Sequence, residues 1–178
     1  MAQKYEVFEE VEAFYRIIPL TPFRRTPNVS FDCLPMGALP RIDAIDRVIH
    51  KSNAVSPGPV GDVERPWYIH PHQDDNLMVL QGTRYVDIYR KRYAKMEHFV
   101  VRADRIEKDG RILYDGPAML VWPRGVFHRI RTGEDGSASL NFAVHYERFD
   151  IQINFNIYDL DTASGRFKTI REGHEDQM

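Results

Sequence analysis

The chain has 178 residues, a length that fits one domain with its own hydrophobic core. Apolar residues make up 43% and charged residues 28%, and the formal net charge is −2. This balance is typical of a globular protein. The net charge gives no sign of the positive excess with which proteins bind nucleic acids or anionic membranes. We interpret the basic stretch over residues 84–95 as a solvated edge, so we predict neither of those partners.

Cys33 is the single cysteine, so it has no partner for an intrachain disulfide or for a cysteine metal site. The first residues lack the apolar segment of a secretory signal. No run reaches the roughly 18 apolar residues of a membrane span. We therefore expect, by default, a cytoplasmic location.

The N-terminal part of the chain permits two local structures. Apolar side chains recur there at helical spacing, but residues 13–18 equally suit a short strand. Pro19 would stop a helix. We predict an N-terminal arm over residues 1–28, its form left open, that packs on the domain or on a partner subunit.

Residues 29–172 are predicted to form one β domain, followed by a polar tail over residues 173–178. Short apolar runs alternate with turn signals, and no long helix separates them, which favours an all-β barrel or sandwich. Residues 41–51 suit either a helix or a strand. The predicted strands cover residues 29–34, 67–72, 76–89, 99–103, 111–114, 118–122, 126–131, 139–146, 151–158 and 167–170.

The last two of these strands form a predicted hairpin. Residues 151–158 alternate apolar and polar side chains, the pattern of a half-buried strand. Ala163, Ser164 and Gly165 then form a turn signal. We predict a C-terminal β-hairpin.

Two of the seven histidines, His70 and His72, are separated by one residue. If both lie on a strand, their side chains leave the same face. Imidazole is a common ligand of zinc, iron, nickel and copper. The pair is therefore a candidate for part of a metal site.

The sequence around this pair resembles the first conserved motif of the cupin family. His70 and His72 are followed by an acidic residue, Asp75, and six further residues separate Asp75 from Gly82. The family normally has Glu at the acidic position, with three or four residues between it and the second histidine. Here two residues intervene and the acid is Asp, so Asp75 is either a fourth metal ligand or a solvated turn carboxylate.

A later run resembles the second cupin motif. Gly116 is followed by a short apolar run, and then Pro123, Gly125 and His128 match the motif's PxGxxH tail. The resemblance spans residues 66–146. It implies a cupin double-stranded β-helix, a jelly-roll barrel. It also implies one divalent transition metal (iron, zinc, nickel or manganese), bound by His70, His72 and His128 with Asp75 as the candidate fourth ligand.

Two further residues are candidates for catalysis. Tyr68 shares strand parity with the histidine pair, so it could orient a ligand or donate a proton. Arg124 lies in the PxG turn and could meet an anionic substrate. His145 and Asn141 share one face of a predicted strand, and the sequence leaves open whether that face lines the cavity.

The resemblance leaves three functions open. The first is a metal-dependent enzyme on a small polar molecule: an oxygenase, or a sugar or organic-acid isomerase or lyase. The second is a binding protein without catalysis. The third is a metal-free nucleotide-sugar epimerase or ketoisomerase with His as base and Tyr as acid. The family also leads us to expect a homodimer.

Overall fold

Fifteen strands and one short α-helix form the regular structure of residues 5–177, which are the residues that the computed structural model describes. In chain order they are β1 (Glu9–Val11), β2 (Tyr15–Pro19), β3 (Thr21–Thr26), β4 (Val29–Cys33), β5 (Ala44–His50), β6 (Val55–Ser56), β7 (Trp67–Ile69), β8 (Gln73–Arg90), β9 (Lys95–Val101), β10 (Arg105–Lys108), β11 (Arg111–Asp115), β12 (Ala118–Trp122), β13 (Phe127–His145), α1 (Ile151–Asn154), β14 (Ile157–Asp161) and β15 (Arg166–Arg171). Short 3-10 turns lie at Met36–Ala38, Lys91–Tyr93 and Gly173–Asp176. The predicted all-β class is confirmed.

The long strands β8 and β13 organise the barrel. They pair with each other in antiparallel register, with His128 opposite Ile88 and Asn141 opposite Leu77. On their other edges, β8 pairs with β9 and β12, while β13 pairs with β5, β6 and β7. Both long strands therefore curve around one interior, and residues at both ends of each strand reach it.

Gly82 allows β8 to change direction next to β13. Its φ is 74°, in the region that favours glycine. A Cβ at this position would stand 2.1 Å from the carbonyl oxygen of Gly136. The pairing of β8 with β13 shifts register on both sides of this contact. Only glycine fits there without moving the backbone of β13.

The hydrophobic core fills the side of the barrel between β8, β9, β10 and β12. Leu77, Val86, Phe99, Ile106 and Leu120 are each 2% exposed or less. Full burial of such a side chain contributes roughly 1.5–3 kcal/mol. This packed core holds the strands in place, and the cavity described below borders it at Leu77 and Trp122.

The N-terminal segment contributes strands to the main sheet. β1 pairs with β2, and β2 pairs with β12. Tyr15 and Ile17 are completely buried by this pairing. Of the two local forms that the sequence allowed, the structure has the strand. The first four residues of the predicted arm lie outside the described residues.

Residues 41–51, which suited either a helix or a strand, hold the strand β5, paired with β13. β3 and β4 form a separate two-stranded sheet. Within residues 5–177, no helix has the length and apolar character needed to cross a membrane.

The predicted strand over residues 151–158 is wrong in its first half. Residues 151–154 form α1, whose first turn is capped by the Asp150 carboxylate accepting from the backbone N–H of Gln152. Ile151 and Ile153, the basis of the alternating pattern, are 50% and 42% exposed, so no buried face held them in a strand. The predicted C-terminal hairpin is confirmed as β14 and β15. In the predicted tail, residues 173–176 form a 3-10 turn and Met178 lies outside the described residues.

Candidate functional site

His70 and His72 do not lie on one strand. β7 ends at Ile69, the chain bends at Pro71, and β8 begins at Gln73. The two side chains therefore do not leave a common face. His70 is 4% exposed and turns into the barrel, whereas His72 is half-buried and does not line the cavity. The strand-parity argument for this pair is wrong because the proline breaks the strand.

The second motif places His128 beside His70. Gly125, with a φ of 76°, turns the chain after β12, and its N–H donates to the carbonyl oxygen of His70 over 2.9 Å. His128 then enters the barrel as the second residue of β13. The two imidazole rings stand 4.7 Å apart between centroids.

Asp75 completes a buried cluster with these two histidines. Its Oδ2 is 3.4 Å from His70 Nε2 and 4.0 Å from His128 Nε2. All three side chains are 4% exposed. The sequence left open whether Asp75 is a solvated turn carboxylate, and the structure instead places it inside the barrel.

The two oxygens of Asp75 have different surroundings. Oδ1 accepts hydrogen bonds from the side-chain amides of Gln73 and Asn141, both over 2.8 Å. Oδ2 is buried and has no hydrogen-bond partner among the described residues. A buried carboxylate oxygen is rarely left unpaired, so this atom is available for a proton, a cation or a substrate hydroxyl.

The orientation of His70 is fixed by α1. Its Nδ1 lies 2.5 Å from the backbone carbonyl oxygen of Asn154, which can only accept a hydrogen bond. The proton of neutral His70 is therefore assigned to Nδ1, and the Nε2 lone pair faces Asp75. Metal-binding histidines are commonly oriented by such a carbonyl contact.

His128 is neutral at physiological pH. Burial, followed by the neighbouring His70, lowers its pKa to about 4, although Asp75 acts in the opposite direction. Its Nδ1 lies 3.3 Å from the carbonyl oxygen of Val126, and its Nε2 has no hydrogen-bond partner among residues 5–177. This free nitrogen can accept a proton or bind a metal.

A cavity of about 140 Å³ opens at this cluster. Its walls come from β5, β6, β7, β8, β12, β13 and the residue after α1. The lining residues are Asp46, Val48, His50, Ser56, Tyr68, His70, Gln73, Asp75, Leu77, Arg84, Trp122, His128, Ile130, Asn141 and Phe155. The ring of Tyr68 stands 6.2 Å from that of His70 and 5.9 Å from that of His128. Burial raises the pKa of Tyr68, so its hydroxyl stays protonated.

Several solved structures share this architecture. The sugar 3,4-ketoisomerase QdtA from Thermoanaerobacterium thermosaccharolyticum superposes with a TM-score of 0.55 and 11% identity, over 79% of this chain and 85% of that one. The 4-keto-6-deoxy sugar epimerase NovW from Streptomyces spheroides gives 0.57 and 11%, over 84% and 72%. The dTDP-4-dehydrorhamnose 3,5-epimerase from Sulfolobus tokodaii gives 0.57 and 16%, over 82% and 77%. This chain has the cupin jelly-roll fold.

The other comparisons add no family. No protein-family model matches the chain, and no curated protein matches it. At 11–16% identity the structural likeness establishes the cupin fold alone. Function has to be argued from the cavity.

The cluster of this cupin barrel fits a divalent metal ion. The donor atoms of His70, Asp75 and His128 lie within 4.8 Å of one another, and Asp75 Oδ2 has no other partner among the described residues. Two histidines and one carboxylate form a donor set that iron enzymes use. The set differs from the predicted one because the bend at Pro71 keeps His72 out of it.

Two other predicted residues have different outcomes. Tyr68 lines the cavity, as strand parity with His70 suggested. Arg124 is exposed and does not line the cavity. Its guanidinium stacks on the ring of Tyr146 at 4.1 Å, and its backbone N–H donates to Asp74. His145 stacks on Phe149 outside the cavity, while Asn141 points inward.

Sequence reasoning missed several cavity residues. No motif in the sequence includes His50, Arg84, Trp122 or Phe155, yet all four line the cavity. Alternation along β5 could have placed His50 on the face of Val48, had the segment been assigned as a strand. Nothing in the sequence places Phe155 there, because a helix end positions it.

Proposed function

We propose that this protein is an isomerase or epimerase of a small keto sugar or related hydroxycarbonyl compound. It would act by moving a proton next to the carbonyl group. The observation that carries the proposal is the neutral His128, whose Nε2 faces the cavity 4.0 Å from the Asp75 carboxylate. The activities of the structural neighbours, a sugar ketoisomerase and two sugar epimerases, support the same class.

His128 is the base in this proposal. Its Nε2 takes the proton from the carbon beside the carbonyl, and the resulting imidazolium lies next to Asp75, which stabilises the positive charge. His70 is less suited to this role because its Nδ1 is held at Asn154 and its Nε2 faces Asp75. His70 instead forms the wall of the cavity next to Asp75, which is oriented by Gln73 and Asn141.

Tyr68 is the proton donor. Its protonated hydroxyl is carried on a ring that stands beside both histidine rings. As the carbon loses its proton to His128, the carbonyl oxygen takes a proton from Tyr68 and an enediol forms. His128 then returns its proton to the neighbouring carbon while the Tyr68 phenolate takes the proton of that carbon's hydroxyl group, which gives the isomer. For the epimer, water protonates the first carbon on its opposite face, Tyr68 takes back the proton of the enediol oxygen, and His128 releases its proton to the hydroxide left by the water.

The size of the cavity limits what it can enclose. About 140 Å³ is well below the roughly 300–1,000 Å³ of pockets that enclose drug-sized ligands. The cavity therefore accommodates the reacting part of a substrate and not a complete nucleotide sugar. A nucleotide, where one is attached, would lie outside the barrel.

Deuterium exchange tests this function. The protein is incubated in D2O with TDP-4-keto-6-deoxyglucose, D-fructose or 5-keto-D-gluconate, and deuterium beside the carbonyl is followed by NMR. We expect incorporation with at least one of them. His128→Gln should slow it about a hundredfold or more, the usual contribution of a general base.

The matched control is His98→Gln, which changes an exposed histidine on β9 that pairs with Asp87. It should exchange at the wild-type rate. Tyr68→Phe should still exchange, but more slowly, because the carbonyl oxygen loses its proton donor. Failure of the wild-type protein to incorporate deuterium with all three compounds would overturn the proposal.

The unpartnered Asp75 Oδ2 favours a second candidate, a metal-dependent enzyme of the same cavity. His70, Asp75 and His128 would hold the ion, with Asn154 and Asn141 orienting two of these ligands. A divalent ion bound there supplies Lewis-acid polarisation of a carbonyl oxygen. Metal analysis of the purified protein, with activity measured before and after chelation, distinguishes the metal-free isomerase from the metal-dependent enzyme. Activity that survives removal of all metal supports the metal-free isomerase.

A further inference from the structure

A buried arginine lines the cavity away from the His-Asp-His cluster. Arg84 is 2% exposed, its Nε donates to Ser137 Oγ over 3.0 Å, and its Nη2 donates to the carbonyl oxygen of Val48 over 3.2 Å. Both acceptors are neutral. Among residues 5–177, no carboxylate forms an ion pair with it, and three of the five guanidinium hydrogens remain available.

An unpaired buried cation is an unusual feature. Charged side chains inside a protein are normally paired because removing them from water is costly. Burial lowers the pKa of Arg84 to about 10, so the group is still charged at neutral pH. An arginine that has no acid of its own in a cavity is suited to an anionic group of a ligand.

His50 adds a second unpartnered polar group at the same place. Its ring lines the cavity, and its Nδ1 is buried without a hydrogen-bond partner among the described residues. Burial, followed by the charge of Arg84, lowers its pKa to about 4, so it is neutral at pH 7. A neutral imidazole offers one N–H donor. Arg84 and His50 together thus provide one positive charge and several free donors.

Negative charge lies toward the opposite side of the cavity. Asn141 donates to Asp46 over 3.0 Å and to Asp75 over 2.8 Å, so it holds both carboxylates near the His-Asp-His cluster. Asp46 precedes His50 by four positions on β5. The cavity therefore has largely apolar walls with two carboxylates toward one side and an unpaired guanidinium toward the other.

The register of β13 gives the spacing between the two sides. Thr132 pairs with Arg84 and follows His128 by four positions, about 13 Å along a strand. The side chains of Arg84 and His128 both line the same cavity. One small molecule can therefore touch Arg84 and His128 at once.

We propose that Arg84 and His50 form a subsite for a carboxylate, and that the substrate is a small keto or hydroxy acid such as a sugar acid. The proposal rests on the proposed function for the reacting end, which it places at His128. The carboxylate binds the guanidinium in a two-point contact, with His50 as an additional donor. One positive charge matches a monovalent carboxylate, whereas a phosphate would leave negative charge uncompensated.

Calorimetry with matched probes tests the subsite on the full chain. D-Glucuronate and D-glucose differ chiefly in one carboxylate, and inorganic phosphate probes the alternative anion. We expect the wild type to bind D-glucuronate at least tenfold more tightly than D-glucose or phosphate. Arg84→Gln should remove this preference, and His50→Leu should reduce it several-fold.

Arg131→Gln is the matched control. Arg131 is an exposed arginine on β13 that stacks on Tyr85 at 3.8 Å, and its loss should leave the preference unchanged. If Arg84→Gln does not fold, the carboxylate preference is measured instead in His50→Leu and Arg84→Lys, provided that their melting temperatures match that of the wild type. The proposal is overturned by equal binding of the two sugars, by tighter binding of phosphate, or by a preference that is as large in the folded variants as in the wild type.

This measurement does not need turnover, so its failure differs from failure of the proposed function. A carboxylate preference without deuterium exchange would keep the subsite and remove the isomerase. Deuterium exchange into a neutral keto sugar, without any preference for a carboxylate, would keep the isomerase and remove the subsite.

Discussion

The side-chain amide of Asn141 donates a hydrogen bond to Asp75 Oδ1 over 2.8 Å. The amide cannot turn away, because its own oxygen accepts from the backbone N–H of Asn76 and its second hydrogen goes to Asp46. Asp75 is thereby held with its other oxygen toward His70 and His128. A residue from the middle of β13 thus sets the direction in which the site's carboxylate points.

Asn141→Ala should therefore impair the site without removing any group that contacts the substrate's reacting atoms. We expect kcat to fall about tenfold to a hundredfold, as is usual when a supporting hydrogen bond to a buried functional group is lost. KM should change little. Deuterium-exchange kinetics measure both constants. Asn53→Ala, an exposed asparagine that bonds only Ser52 Oγ through its side chain, is the control and should match the wild type.

His72 and His70 should differ sharply although they are separated by one residue. His72→Ala should exchange deuterium within about twofold of the wild type, because its half-buried side chain does not line the cavity. His70→Ala should lose most activity because Asp75 Oδ2 loses its nearest neighbour. A loss of activity in His72→Ala as large as that in His70→Ala would show that His72 enters the cavity, contrary to the bend at Pro71.

Local pattern was sufficient for much of the fold and for part of the site. The PxGxxH run ends β12, turns at Gly125 and starts β13 with His128, all within a few residues. The resemblance also indicated Asp75, although its spacing from His72 departs from the family pattern. Alternation of apolar residues correctly marked the short strands because each has one buried face.

Long-range contacts account for what the sequence did not reveal. His70 is oriented by the carbonyl oxygen of Asn154, which is 84 residues away. Asp75 is oriented by Asn141, 66 residues away. Arg84 lies in a basic stretch that suggests a solvated edge, although it shares strand parity with the buried Val86 and Ile88, so alternation along β8 could have placed it on the inner face. The contacts of His70 and Asp75, in contrast, are not contained in composition or periodicity.

The burial of β2 predicts that truncating its core residue Ile17 lowers the free energy of unfolding. Ile17→Ala removes a completely buried side chain that faces the barrel core, and we expect a loss of about 2–5 kcal/mol in the free energy of unfolding. Ile112→Ala, at a position 56% exposed on β11, should change it by about 0.5 kcal/mol or less. Chemical denaturation measures both. Equal, small effects would mean that β2 packs only loosely on β12.

The buried His50 predicts a loss of stability in mild acid. Its pKa is lowered to about 4 in the folded protein, from 6.5 in an exposed histidine. Between those values the unfolded chain binds a proton that the folded chain does not, so stability falls as pH drops from about 6.5 toward 4, and it is unaffected above pH 7. With screening allowed for at this half-buried ring, we expect His50 to contribute roughly 1 kcal/mol of the decline.

Denaturation at several pH values checks this contribution through a pair of variants. His50→Leu cannot take up the proton, so its unfolding free energy should decline less between pH 6.5 and 4 than that of the wild type. His174→Leu, at an exposed position in the C-terminal turn, should leave the decline in place. If the unfolding free energy of His50→Leu declined as much as that of the wild type, His50 would accept its proton as readily in the barrel as in water. Its ring would then be solvated, and it could not offer the desolvated N–H donor that the carboxylate subsite requires.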